Sequence, residues 1–194
     1  MSAIHRTAKY DIRGVEKRTY DELVSLRLTT AEASSVPRHP VVAVLHDIRS
    51  LYNVGSIFRT ADAMFIEGLV LTGYTPAPPR AEIAKTALGA ELVVPFEVIT
   101  DIRAAIATLR ERGYRCYAAE IAHGAVAPDA ISPRNEPIAV IFGNELVGLP
   151  DEILALCDGA IEIPMFGTKH SLNVAVAAGI ILHALVDTYR KATS

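Results

Sequence analysis

Three segments of the chain place polar and glycine residues where a buried core would not accept them. The first is Asn53-Val-Gly-Ser-Ile-Phe-Arg59-Thr-Ala-Asp62. Asn53 stands where a helix N-cap would, and Arg59 follows six residues later, expected near the same helical face. The second is Phe142-Gly-Asn-Glu-Leu-Val-Gly-Leu-Pro150, a glycine-flanked turn at the carboxyl end of an apolar strand. Ligands of open α/β sheets bind at such ends, and two glycines let the backbone approach closely. The third is Ile163-Pro-Met-Phe-Gly-Thr-Lys-His-Ser-Leu-Asn-Val174, a loop that opens a helix rich in Ala and Val. The plainest reading of each is local: Asn53 as a cap, Arg59 as a surface cation, Asn144 closing a tight turn, and Ser171 as another N-cap.

Other common chemistries find no support. Neither G-x-x-x-x-G-K-[ST] nor G-x-G-x-x-G follows the first strand, which argues against a P-loop or a dinucleotide site. There is no H-E-x-x-H and no paired cysteine motif. His123, His170 and His183 share no ligand spacing, so no metal site is expected. G-x-S-x-G is absent, and adjacent His170 and Ser171 make a poor nucleophile and base because sequence neighbours rarely face each other.

The elements that must position these segments follow from the apolar pattern. A short helix is expected over 20–33, with Thr19 and Glu22 forming a capping box, before Pro37 and Pro40 break the chain. Strands are expected at 41–45, 68–72, 91–94, 114–119, 137–142 and 160–163, and helices at 55–65, 81–88, 100–112, 151–156 and from Leu172 to about Tyr189. Strands alternate with helices and are apolar throughout. That pattern predicts an α/β fold with a mostly parallel sheet flanked by helices on both faces.

With 194 residues, 51% of them hydrophobic, the chain can bury a core without disulfides or metals. Cys116 and Cys157 lie far apart, which suits a reducing, cytoplasmic setting. No secretory signal or membrane span is expected. The formal charge of −3 excludes a generally basic polymer binder, yet it is unevenly spread. Residues 1–60 carry nine Lys/Arg against six Asp/Glu, including Arg6, Lys9, Arg13, Lys17 and Arg18. Acids interleave with these bases, so composition alone favours a solvated tail over a phosphate-contacting arm.

Taken together and in order, the three segments resemble the motifs of the SpoU/TrmH-type RNA 2′-O-ribose methyltransferases of the SPOUT superfamily. The patterns are N-x-G-x-x-x-R-T-A-D from Asn53, G-N-E-x-x-G-L from Gly143, and I-P-M-x-G-x-x-x-S-L-N-V-x-V-A from Ile163. The resemblance covers roughly residues 41–190. It implies a SPOUT catalytic domain over 41–194, preceded by a basic extension over 1–40, and a C-terminal deep trefoil knot. It also implies S-adenosylmethionine as cofactor, held by Ala119, Gly143, Ile163, Ser171 and Leu172, and a homodimer with its active site across the subunit interface. The implied reaction is methylation of a ribose 2′-hydroxyl in tRNA or rRNA, with no metal. Arg59 would be the catalytic arginine and Asn53 would orient it or the ribose. Glu145 would hold the loop of the second motif or a basic partner across the dimer, while Ser171 and Asn173 would bind cofactor and position Arg59.

About forty residues precede the core, too few for the separate RNA-binding domain of some relatives, and the helical C-terminal extension of others is not seen. RNA is therefore expected to be gripped by the catalytic dimer and the basic N-terminal stretch, which gives the phosphate-arm reading more weight. Two alternatives compete: a catalytically silent RNA-binding or assembly protein on the same fold, and a methyltransferase acting on a base nitrogen. The retained Asn53, Arg59, Glu145, Ser171 and Asn173 weigh against the first. The Asn53/Arg59 pairing, which resembles the ribose branch, weighs against the second.

Overall fold

The computed structural model describes residues 16–131 and 136–192, so Arg6, Lys9 and Arg13 of the basic stretch lie outside the described residues. The chain forms two compact units, Met1–Val36 and Pro37–Ser194. In the first, the single helix expected over 20–33 is instead two, α1 (Tyr20–Ser25) and α2 (Thr30–Ser35). The cause is a second capping box. The Thr29 side chain accepts from the Glu32 N–H, and the Thr29 N–H donates to the Glu32 carboxylate at 2.8 Å. Such a box starts a new helix. No residue of α1 is buried, so no tertiary contact of its own overrides the break.

The second unit carries a six-stranded sheet in which every pairing is parallel, ordered β3-β2-β1-β5-β4-β6. The strands are β1 (His39–His46), β2 (Ile66–Thr72), β3 (Phe96–Val98), β4 (Arg115–Ala119), β5 (Ile138–Phe142) and β6 (Gly159–Ile161). Central β1 and β5 pair from Val41 with Ile138 to Leu45 with Phe142. Alternation sends Val41, Ala43 and Leu45 into one core and Val42 and Val44 into the other. The first core is closed by α3 (Leu51–Ala63), α4 (Ala81–Ala87) and α7 (Val174–Ala192). The second is closed by α5 (Ile102–Glu111) and α6 (Asp151–Leu154). The sheet is thus covered on both faces, as its continuous apolar strands require.

Several boundaries differ from expectation for local reasons. The apolar run 91–94 is not a strand: Ala90–Leu92 forms a 3₁₀ turn, and β3 begins only after Pro95. Pro95 lacks an N–H but its carbonyl accepts from the Leu69 N–H at 3.0 Å, and pairing with β2 continues from Phe96. Helix α3 starts at Leu51 rather than at Gly55, because the Ser50 hydroxyl accepts from the Asn53 N–H at 3.2 Å. Asp101, not Thr100, caps α5. Helix α7 starts after Asn173, whose side chain accepts from the Ala175 N–H at 2.9 Å, so Ser171 is not its cap. No helix among the described residues is long and apolar enough to cross a membrane.

Candidate functional site

Parallel pairing gathers the carboxyl ends of all the strands on one edge of the sheet. A cleft of about 690 Å³ opens there beyond β4, β5 and β6. Its walls come from the turn after β4, the loop 143–149 after β5, the loop after β6 and the first turns of α7. Ala119, Gly143, Ile163, Ser171 and Leu172 all line it, as do Glu145 and Asn173.

Loop 143–149 is fixed from within. Asn144 is buried, and its Oδ1 accepts from the N–H groups of Leu146 and Val147 at 2.9 and 3.2 Å. Its Nδ2 donates to the Asp47 carbonyl at 2.8 Å and to the Tyr74 hydroxyl at 2.6 Å. One side chain therefore closes the turn and ties it to the loops that follow β1 and β2. Close backbone approach explains the two glycines. A Cβ on Gly143 would stand 2.6 Å from the Gly148 carbonyl carbon. Gly148 has a φ of +66°, and a Cβ there would stand 2.3 Å from Glu120 Oε2. That same Glu120 oxygen accepts from the Leu149 N–H at 2.9 Å.

The three segments singled out by their residue types meet through a short polar chain. Glu145 accepts from the N–H groups of Arg49 and Ser50, at 3.0 and 3.2 Å, and from Asn53 Nδ2 at 3.0 Å. Asn53 Oδ1 in turn accepts from Asn173 Nδ2 at 3.2 Å. Partial burial pushes the Glu145 carboxyl up, but the donors from Arg49, Asn53 and Ser50 outweigh it and hold its pKa below the ordinary value. Asn53 is therefore not the N-cap that spacing suggests. Ser50 takes that position and frees the Asn53 amide to bridge Glu145 and Asn173.

Arg59 stands apart from this group. It is exposed on α3, does not line the cleft, and has no hydrogen bond or ion pair among the described residues. The expected shared face fails on geometry. Six residues at about 100° each carry Arg59 about 120° round the helix from Asn53 and roughly 9 Å along it. Sequence reasoning also missed Glu120 and Tyr74, which hold the loop of the second segment. An acidic residue directly after the apolar strand 114–119 was the available signal for Glu120; nothing in the sequence marked Tyr74.

The lining is chemically one-sided. Leu149, Ile163, Leu172 and Ala177 supply apolar surface, and Glu120, Glu145, Asp151 and Glu162 supply carboxylates, while no Lys or Arg among the described residues lines the cleft. Such a cleft suits a ligand with an apolar ring system and a positive charge. It repels a bare phosphate, which must find its cations outside. Among the described residues no group of three His, Cys, Asp or Glu gathers as metal ligands.

Comparison with known proteins adds an independent line. The profile of the SpoU rRNA Methylase family matches residues 40–183. The chain is 37% identical over 150 residues to the tRNA (guanosine(18)-2′-O)-methyltransferase of Thermus thermophilus, covering 75% of this chain and 74% of that protein. It is 33% identical over 149 residues to the 23S rRNA (guanosine-2′-O-)-methyltransferase RlmB of Vibrio parahaemolyticus, covering 76% of this chain but only 59% of that relative. Among solved structures, the AdoMet-bound rRNA methyltransferase from Sinorhizobium meliloti superposes with a TM-score of 0.71 at 30% identity, over 79% of this chain and 59% of that one.

Proposed function

The chain belongs to the SpoU rRNA methylase family, and on that premise we propose that it transfers a methyl group from S-adenosylmethionine to a ribose 2′-hydroxyl of tRNA or rRNA. The observation that carries this reading is the hydrogen-bonded chain Glu145–Asn53–Asn173, which joins one residue from each of the three family motifs at the mouth of the cleft. A silent RNA binder on the same fold would have no use for that alignment and is not favoured.

The residues present fit the cofactor. Gly143 and Gly148 pack backbone against backbone, so an adenosyl group can approach the loop closely, with Ala119, Ile163 and Leu172 as apolar walls. Ser171 adds a hydroxyl, and the carboxylates of the lining favour a cation. The bound cofactor supplies an electrophilic methyl sulfonium.

The chain's own residues have three tasks. Glu145 and Asn173 hold the Asn53 amide from both sides, so that the start of α3 and the start of α7 keep one orientation about the ribose. Arg59, which stands outside its own chain's cleft, supplies charge toward the site that a second copy completes: its guanidinium stabilises the developing alkoxide and the adjacent phosphate. The proton of the 2′-hydroxyl leaves to water. A second copy of the chain, docked on exposed Val176 and Ile180 of α7, closes the site between two protomers.

The trefoil knot belongs to the same proposal. β6 is flanked by β4 on one side and by Val126 on the other, where Val126 donates to Ala160 O at 3.0 Å and accepts from the Glu162 N–H at 2.9 Å. The chain between Ala119 and Val126 therefore passes from one edge of β6 to the other. Beyond β6 it must return from the sheet edge to place α7 against α3 and β1. That path supports a threaded C-terminus. We further assign residues 1–40 as a basic extension that assists RNA binding, residues 41–194 as the catalytic domain, and the cytoplasm as the site of action.

The test is Arg59→Ala. Methyl transfer to RNA is expected to fall by about three orders of magnitude, while the affinity for S-adenosylmethionine stays within about twofold. Retained transfer removes Arg59 from the mechanism.

A further inference from the structure

Helix α3 presents a second surface, on the side away from the Asn53 bridge. Tyr52, Ser56, Arg59 and Ala63 recur at helical spacing, within about 40° of one line along the helix. Tyr52 and Arg59 are both exposed, and Tyr52 keeps 49% of its surface open. Helix α4 lies tightly beside this line. A Cβ on Gly55 would stand only 2.3 Å from the Ile83 carbonyl oxygen, so the absence of a side chain there lets the two helices touch. Thr86 Oγ1 donates to the Tyr52 carbonyl at 3.0 Å and fixes the register between them. The same register brings Lys85 Nζ to 6.0 Å from the centre of the Tyr52 ring.

Of the exposed aromatics Tyr20, Tyr52, Tyr74 and Phe166, Tyr52 alone has a cation held over its ring among the described residues. Tyr74 is already engaged by Asn144. Neither Lys85 nor Arg59 has a carboxylate partner among the described residues, although Glu82 and Asp62 share their helices. An open aromatic face flanked by two unneutralised cations on one stripe matches what unpaired nucleotides bind: a ring for the base and positive charge for the backbone. The stripe begins one residue before Asn53, whose side chain is tied to the cleft residues Glu145 and Asn173, so a nucleotide stacked there lies one helical step round α3 from that bridge.

We propose that Tyr52 and Lys85 form a stacking platform for an unpaired RNA base next to the methylated nucleotide, with Arg59 on the same stripe holding the intervening phosphate. The platform rests on the RNA methyltransferase reading and gives its substrate one further property: the target ribose lies in a single-stranded or opened stretch. Stacking is tolerant of base identity, so the platform selects for an unpaired base rather than for a particular sequence.

The experiment uses the full chain and a short single-stranded RNA carrying one 2-aminopurine, whose fluorescence is quenched on stacking. Wild-type protein is expected to bind the RNA and quench the probe. Tyr52→Ala is expected to bind it about tenfold more weakly, with the quench lost, and Tyr52→Trp to restore both. Lys85→Ala is expected to lower the slope of log affinity against log salt by about 0.7. Binding of S-adenosylmethionine, unchanged in all three variants, serves as the control for folding. If wild-type protein binds and methylates RNA while Tyr52→Ala quenches and binds equally well, the platform is refuted and the enzymatic reading stands. If wild-type protein neither binds nor methylates RNA, both fall. A change in sedimentation of Tyr52→Ala, with RNA affinity per protomer unchanged, makes this face a contact between copies and also overturns the platform.

Discussion

Glu145→Gln replaces one carboxylate oxygen by an amide nitrogen and barely alters shape, which makes it a direct probe of the bridge between the three motifs. The carboxylate receives three donors, the N–H groups of Arg49 and Ser50 and the Asn53 amide, at 3.0, 3.2 and 3.0 Å. Glutamine offers one oxygen to these donors and turns an N–H₂ group toward the rest. Hydrogen bonds to a charged acceptor are worth about 1.5–3 kcal/mol each when buried. Glu145 is exposed as a residue, and solvent screening reduces each to about 0.5 kcal/mol. The expected loss is therefore about 1–2 kcal/mol, or a Tm lower by roughly 2–8 °C for a chain of this size. Turnover should fall further, by about a hundredfold, because the Asn53 amide loses its fixed orientation near the reacting groups.

A pH series separates this cause from a general weakening. The folded-state pKa of Glu145 lies below the ordinary glutamate value of 4.5, so its contribution is complete above that value. It fades as pH falls through the folded pKa, where the wild-type carboxyl becomes neutral like the amide of the variant. Thermal unfolding followed by circular dichroism should show a constant gap at neutral pH that closes on acidification. No gap at neutral pH, or a gap that persists unchanged in acid, refutes the assignment of Glu145 as the charged acceptor of the bridge.

Gly143→Ala should lower stability by about 1–3 kcal/mol and weaken S-adenosylmethionine binding by at least tenfold, since its Cβ would stand 2.6 Å from backbone carbon of Gly148; thermal melts and calorimetric titration read the two effects. Reversing Arg13, Lys17 and Arg18 to Glu should weaken RNA binding and flatten its salt dependence by a slope of about 2, measured by filter binding across a salt series; unchanged binding assigns the extension to solvent. Burial pushes the Cys116 thiol up to about 11, helped by nearby Asp158 and Cys157, so at pH 8 it should resist thiol reagents in the folded protein and react fully in denaturant.

Much of the fold was legible because the strands are short apolar runs separated by amphipathic helices, and that pattern admits little besides a covered parallel sheet. The misplaced elements share a physical cause. At 91–94 the apolar run is real, but Pro95 and the turn through Leu88 and Gly89 decide where pairing resumes, and those act through backbone geometry. At 20–33 two capping boxes, Thr19 with Glu22 and Thr29 with Glu32, each start a helix, and the apolar pattern does not separate them. The site follows the same division. Residue types marked Asn53, Glu145 and Asn173, and the fold brings them within hydrogen-bond reach across 92 and 120 residues of chain. Their roles were less visible, since Ser50 displaces Asn53 as the cap and thereby frees its amide. Arg59 was legible as a motif residue, yet spacing gave the wrong face. Tyr52 is not legible in the sequence, because its significance lies in Lys85, which α4 brings alongside only once Gly55 lets the helices touch.

The chemistry performed on RNA can be read in a single methyl-transfer assay. The full chain is incubated with labelled S-adenosylmethionine and unmodified total tRNA or rRNA, and the digested RNA is resolved by nucleoside mass analysis. Label is expected in a 2′-O-methylated nucleoside from one of the two pools, and is expected to be lost with Arg59→Ala. Label on a base, or none in either pool from protein that binds S-adenosylmethionine, contradicts the proposed chemistry.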